Sequence, residues 1–386
     1  MRYYLILFVV FFFTSCKESK TSSQNEIREQ IVYRPLPTEV LHPENNLPNE
    51  HKIQLGKLLF YDPILSGNKD VACVSCHHPD FGYAEGLDLS IGVNGEGLSR
   101  SRKFAKNNTI PLVKRNAHSV LNTAFNGMNE RGQYDPATAP MFWDIRKKSL
   151  EEQAIAPIQS LEEMKGNRFS EVEILDTIVT RLSEIKEYQE YFRKAFPENP
   201  EISVSNIGKS IACFERSLIT PNSRFDRYIA GDESALSKGE KKGFKLFKSA
   251  GCTACHSGPM FSDYKLHVLG VPENQKLSYM DVGADSTFTF RTPSLRNLRF
   301  TAPYMHNGKF DDLQEVLEFY EDISSGHSIN PNVPNKAMDS LTEKISIKVK
   351  DMSLIISFFN SLNSTNFDKE IPSSVPSKLP IGGNIH

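Results

Sequence analysis

The residues best equipped for chemistry stand in two copies of one pentapeptide, Cys73-Val74-Ser75-Cys76-His77 and Cys252-Thr253-Ala254-Cys255-His256. A C-x-x-C-H run is the attachment signal of a c-type haem: both sulfurs add to the porphyrin vinyl groups, and the following imidazole is held beneath the iron. Paired cysteines also serve zinc sites and disulfides, but a His directly after each pair is not what a tetrahedral site needs. Of the two cysteines left over, Cys213 lies on an apolar helical stripe and reads as a small buried hydrophobe, while Cys16 follows an apolar N-terminal run. Two haems are compatible with an electron carrier or an enzyme. A carrier fills both axial positions of each iron, whereas a peroxide-using enzyme leaves one open and places an acid or base beside it.

Each pentapeptide follows a similar lead-in, Gly56-Lys57-Leu58-Leu59-Phe60 in the first copy and Gly243-Phe244-Lys245-Leu246-Phe247 in the second. The two histidines are 179 residues apart, far beyond a solenoid period, so the duplication implies two domains, each with a short helix leading into its motif. Val204, Ile207, Ile211, Phe214 and Leu218 recur at steps of three and four and stop at Pro221, and Glu171 to Phe196 shows the same spacing. Leu313 to Tyr320 and Met352 to Leu362 continue the pattern, while alternation long enough for a sheet is hard to find. The expected fold is mostly α: two c-type cytochrome domains, residues 36–220 with the N-terminal haem and residues 221–386 with the C-terminal one. Gly92 to Gly97 and Val271 to Ser286 are expected to be loops.

The 386 residues are 39% hydrophobic and 24% charged, enough apolar material for two globular domains. A formal net charge of -2 supplies no overall basic field for a phosphate backbone, which argues against nucleic acid as a partner. At the N-terminus, Arg2, the apolar run Leu5 to Phe13 and the small residues Thr14 and Ser15 precede Cys16, the layout of a signal peptide over residues 1–15. Its end resembles the lipobox of bacterial lipoproteins. Cys16 would then carry lipid, residues 16–35 would form a flexible tether, and the protein would lie in the periplasm or at the outer membrane, held by the lipid alone.

From Leu55 to about Leu362 the chain resembles the bacterial dihaem cytochrome c peroxidases and their relative MauG. The resemblance rests on Leu55-Gly56-Lys57-Leu58-Leu59-Phe60, Asp62-Pro63-Ile64-Leu65-Ser66-Gly67, Phe142-Trp143-Asp144, Leu150-Glu151-Glu152-Gln153, Glu163-Met164, Arg291-Thr292-Pro293-Ser294-Leu295-Arg296-Asn297 and Ala302-Pro303-Tyr304. It implies that peroxide reacts at the haem of His77 and that the haem of His256 relays electrons. The family's distal acid falls on Glu163, its distal amide on Gln153 and its inter-haem Trp on Trp143, at intervals of ten residues. Glu163 would move a proton from one peroxide oxygen to the other, Gln153 would orient the substrate, and Trp143, the only Trp, would carry electrons between the haems. The resemblance also implies a calcium ion held by Asn116 and the carbonyls of Thr301 and Pro303, with His306 supporting the haem surroundings. His78, His118 and His267 receive no role, and a homodimer is compatible with the family.

Two positions depart from the peroxidases. Many of these hold a displaceable His ligand sixteen residues after the proximal His, in a loop of the type Ser-Ile-Gly-His, where this chain has Ser90-Ile91-Gly92-Val93. Valine cannot ligate iron, so the N-terminal haem is expected to be five-coordinate or water-bound at rest. Fourteen residues after His306, where the peroxidases place a Met ligand, stands Tyr320, which matches the Tyr ligand of MauG; Met305 and Met280 are the alternatives. The leading expectation is an exported peroxidase that reduces hydrogen peroxide to water with electrons from a small redox protein such as a cytochrome c. The second is an oxidase of the MauG kind, which stores oxidising equivalents on its irons as high-valent iron and withdraws electrons from a protein side chain.

Overall fold

A computed structural model describes residues 33–386. The expected signal peptide, the lipidated Cys16 and most of the expected tether lie outside the described residues. Among those described, ten α-helices carry the fold: α1 (Glu50–Tyr61), α2 (Leu150–Gln153), α3 (Ala156–Gln159), α4 (Glu171–Ser183), α5 (Lys186–Ala195), α6 (Val204–Ser217), α7 (Arg224–Ile229), α8 (Lys238–Ser249), α9 (Leu313–Asp322) and α10 (Val349–Ser361). The strands are two antiparallel pairs of two residues each, Gly95–Glu96 with Lys103–Phe104 and Leu266–His267 with Phe290–Arg291. The mostly helical expectation holds, and the second pair brackets the Val271 to Ser286 loop at its base.

The helices begin where side chains satisfy orphan N–H groups. Asn49 accepts from Lys52 N ahead of α1, and Ser237 with Glu240 forms a reciprocal capping box ahead of α8. The periodic stretch from Glu171 to Phe196 is two helices rather than one. Ile185 is extended, and the Gln189 side chain donates to the freed carbonyl of Ser183 at 2.6 Å.

The duplication is visible as packing. The helix before each pentapeptide lies across a longer helix, α1 on α6 and α8 on α10, and a glycine stands at each crossing. A Cβ on Gly56 would lie 1.9 Å from the carbonyl oxygen of Ser210, and one on Gly243 would lie 1.9 Å from that of Leu354. Two apolar cores follow. One joins α1, α4, α5 and α6 around Leu59, Phe60, Ile178 and Phe214; the other joins α7, α8 and α10 around Phe225, Phe247, Phe261 and Phe358. Cys213 is fully buried on α6, as its stripe implied.

Both ends of the described chain cross to the other core. Tyr33 packs among Phe225, Phe244 and Phe261 of the second core. Residues 367–386 run back over the first: Lys57 pairs with Asp368 at 2.8 Å, Ser377 Oγ donates to Asp62 at 2.7 Å, and Gly383 bridges Val71. The sequence unit 221–386 therefore differs from the spatial unit at its C-terminal end, and Tyr33, expected at the end of a flexible tether, is instead buried in the second core. The apolar residues responsible, Val375, Leu379, Ile381 and Ile385, sit among Pro, Ser and Gly with no helical period to reveal what they cover.

Candidate active site

Both pentapeptides fold identically at the backbone. Cys73–Ser75 and Cys252–Ala254 are single 3-10 turns, closed in each case by the His N–H donating 2.9 Å to the carbonyl of the first Cys. His77 Nδ1 then faces the carbonyl of Tyr83 at 3.1 Å and His256 Nδ1 faces that of Phe261 at 2.9 Å. A carbonyl accepts only from a protonated nitrogen, so each Nε2 is left with its lone pair, the tautomer a metal-bound imidazole needs. Burial lowers the pKa of both rings and keeps them neutral.

A cavity of about 800 Å³ runs between the two histidines, lined by the four pentapeptide cysteines and both His rings. Sulfurs, bare imidazole nitrogens and an apolar volume arranged in this way fit two c-type haems.

Glu163, Gln153 and Trp143 all reach this cavity, each from a different device. Gln153 ends α2, which Ser149 caps by accepting from Glu152 N. Glu163 sits on a single turn of π-helix, Leu161–Lys165, in which Lys165 N bonds the carbonyl of Ser160 and Gly166 N that of Leu161. Such turns are rare and concentrate at functional sites. Burial raises the Glu163 pKa from its ordinary value, and the nearby charge of Arg146 partly opposes the shift.

Trp143 is nearly buried and donates Nε1–H to the carbonyl of Asn116 at 3.0 Å. Its indole stacks on His118, with centroids 4.1 Å apart, and meets the edge of His306, whose own ring stacks on Phe290 at 3.6 Å. This aromatic row lines the cavity that also holds both pentapeptides. Arg115 pins it by bonding Asp144 at 2.6 Å and Asp281 at 2.5 Å, joining residues from both halves, and holds both carboxyls below the usual carboxylate range. His306 thus packs into this row between Trp143 and Phe290.

His118 is a participant that sequence reasoning missed. One histidine beside no motif carries no signal, yet here its Nε2 lies 3.3 Å from Arg291 Nη2, and burial with that positive charge keeps the ring neutral. Arg146 was missed as well: it stacks on Phe142 at 3.6 Å and reaches the cavity near Glu163. His267 lies between Asp339, at 2.5 Å, and Asp263, at 3.0 Å, while His78 is buried and accepts from Asp80 N.

At the second pentapeptide, Tyr320 of α9 and Met305 both line the cavity, whereas Met280 does not. Burial raises the Tyr320 pKa. Val93 is fully buried in the first core and does not line the cavity, so position 93 offers it no side chain. Asn116, Thr301 and Pro303 share the cavity wall, and Asn116 N bonds the carbonyl of His306 at 2.7 Å.

Comparison with known proteins agrees with this geometry. Residues 50–234 match the family model described as di-haem cytochrome c peroxidase. The chain is 33% identical to the methylamine utilization protein MauG of Methylorubrum extorquens over 316 residues, covering 80% of each chain. It is 31% identical to the cytochrome c551 peroxidase of Pseudomonas aeruginosa, over 78% of this chain and 80% of that one. Among solved structures, a MauG-like protein associated with microbial copper homeostasis superposes with a TM-score of 0.67 at 26% identity, covering 85% of this chain and 95% of that one.

Proposed function

Because the chain belongs to the di-haem cytochrome c peroxidase and MauG family, an oxidoreductase family, we propose that it reduces hydrogen peroxide to water at its N-terminal haem site with electrons from a small redox protein. The observation that carries this reading is the convergence of Glu163 and Gln153 on the cavity that holds His77. Cys73, Cys76 and His77 would hold a c-type haem, whose iron would supply the redox chemistry. The chain's own residues handle protons and position. The ionised Glu163 carboxylate accepts a proton from the near oxygen of peroxide and returns it to the far one, which leaves as water. The Gln153 amide fixes the direction of approach. The row of His118, Trp143, His306 and Phe290 lines the cavity shared by the two sites and would give electrons from a C-terminal haem a packed path.

Tyr320 and Met305 are the candidate ligands to the C-terminal haem, and Tyr320 is the assignment we favour. A Tyr at that position, together with the buried Val93, also supports a second reading, a MauG-like oxidase acting on a protein side chain. Calcium is proposed at Asn116: its amide nitrogen donates to the carbonyls of Leu87 and Asp88, so Oδ1 remains for a cation alongside the Thr301 and Pro303 carbonyls. Export and a lipid anchor at Cys16 complete the reading.

Steady-state peroxide turnover with a reduced cytochrome c tests it. The natural chain should turn over, and Glu163→Gln should lose roughly 10²-fold or more in kcat. Equal turnover in the two proteins refutes the role of the acid; an absence of turnover in both refutes the peroxidase.

A further inference from the structure

The π-turn that carries Glu163 is held by main chain on two sides. On one side Gly67 N donates 2.8 Å to the carbonyl of Met164, and a Cβ on Gly67 would lie 1.9 Å from that of Lys165. On the other, Val93 N bonds the carbonyl of Glu162 at 3.3 Å, and a Cβ on Gly92 would fall 2.2 Å from that same oxygen and 2.3 Å from the carbonyl oxygen of Glu163. Glycine is required at both positions because backbone meets backbone.

Main-chain bonds reach these loops at few points, Gly95 N to Gly92 O at 3.0 Å and Lys69 N to Ser66 O at 3.3 Å, and in each loop an arginine binds a row of carbonyls besides. Arg102, 4% exposed, donates Nε to Ile91 O at 2.6 Å, Nη2 to Gly92 O at 3.0 Å and Nη1 to Gly97 O at 2.9 Å. Arg181 of α4 donates Nη1 to Ile64 O at 3.0 Å and to Ser66 O at 2.7 Å, and Nη2 to Gly67 O at 3.2 Å. The two loops are tied to each other by Asn68 Nδ2, which donates to Asn94 Oδ1 at 3.0 Å. A guanidinium fixes several carbonyls in one plane, which a lysine ammonium on a flexible stem cannot reproduce.

We propose that Arg102 and Arg181 are positioning residues for Glu163: each locks one of the two glycine loops that grip its turn, and together they fix where the carboxylate stands in the cavity. Neither guanidinium lines the cavity. The inference rests on the proposed role of Glu163 and adds that the acid's placement is set by two cations outside the cavity wall. It also gives Asp62-Pro63-Ile64-Leu65-Ser66-Gly67 and Ser90-Ile91-Gly92-Val93 a common purpose as the jaws of one clamp.

The test is a double-mutant cycle in the full, haem-loaded chain, using Arg102→Gln, Arg102→Lys and Arg181→Gln, each with Glu163 and with Glu163→Gln. Hydrogen exchange of residues 160–167 and of α6 is measured on the same proteins. Misplacement of a catalytic group by about 1 Å costs up to roughly 10²-fold, so each Arg→Gln change should lower kcat about ten- to a hundredfold when Glu163 is present. It should cost less than twofold more when Glu163→Gln is already there, the non-additivity expected of residues that act through one group. Exchange should quicken in 160–167 and stay slow in α6. Arg102→Lys, the gentler change if Arg102→Gln folds poorly, should show the same pattern at smaller amplitude. Equal fold-losses in both backgrounds, or unchanged exchange in 160–167, overturn the proposal and leave the role of Glu163 standing. A Glu163→Gln protein as active as the natural one overturns the underlying reading instead.

Discussion

Replacing Gly243 by Ala should destabilise the protein, although the same substitution one turn earlier in the same helix should not. Both glycines lie in α8, where Ala is favoured over Gly by about 0.5–1 kcal/mol. At Gly239 an added Cβ would meet only Ser237 Oγ at 3.8 Å and Leu354 Cδ2 at 3.9 Å, ordinary contact distances, so the propensity gain should appear as increased stability. At Gly243 the Cβ would lie 1.9 Å from Leu354 O, 2.7 Å from Leu354 C and 3.0 Å from Phe358 Cβ, and the obstacle is backbone that no rotamer change can clear. α8 and α10 would have to part, at an overpacking cost of roughly 1–3 kcal/mol that exceeds the propensity gain. The net loss of up to about 2.5 kcal/mol corresponds to a fall in Tm of up to roughly 10 °C for a domain of this size. Gly56→Ala, which meets Ser210 O at 1.9 Å, should behave as Gly243→Ala does. Thermal unfolding of the haem-loaded protein, followed by far-ultraviolet circular dichroism, gives the three values. A Gly243→Ala protein as stable as Gly239→Ala would refute the argument that these glycines set the helix spacing beneath the two pentapeptides.

Tyr320→Phe should change the electronic spectrum of the C-terminal haem, and an unchanged spectrum would give the ligand position to Met305. The peroxide reaction should fail on the acid side, because Glu163 must be ionised to accept a proton; with its pKa raised by burial, the rate should fall as pH drops through a midpoint above the ordinary carboxylate range. Arg146 favours the ionised form, so Arg146→Gln should move that midpoint to higher pH, and a stopped-flow pH profile in which the midpoint stays put would remove Arg146 from the site.

Much of the candidate site could be read from local patterns. The spacing of Cys, Cys and His is fixed by a single turn of chain, so the two haem motifs are complete within five residues each and need no distant partner to be recognised. The same holds for α6, whose apolar period runs uninterrupted from Val204 to Leu218, and for the helix before each pentapeptide. Glu163 carries no such signal in its own neighbourhood. It is the second of two adjacent acids, and only the resemblance to a known family separates it from a solvated side chain.

What the sequence by itself determined is therefore the local chemistry: two imidazoles and four sulfurs in attachment spacing, the helices that lead into them, a valine where iron could find no ligand at position 93, and a tyrosine at 320. Only the tertiary structure decided which groups meet. It stacked His118 on Trp143, drew Arg115 to carboxylates in both halves, folded residues 367–386 back over the first core, and gripped the Glu163 turn between two loops about a hundred and about seventy residues away in sequence. The physical reason is that these contacts join single residues to backbone or rings far along the chain. A lone arginine or glycine shows no periodicity, and its partner exists only once the helices have packed.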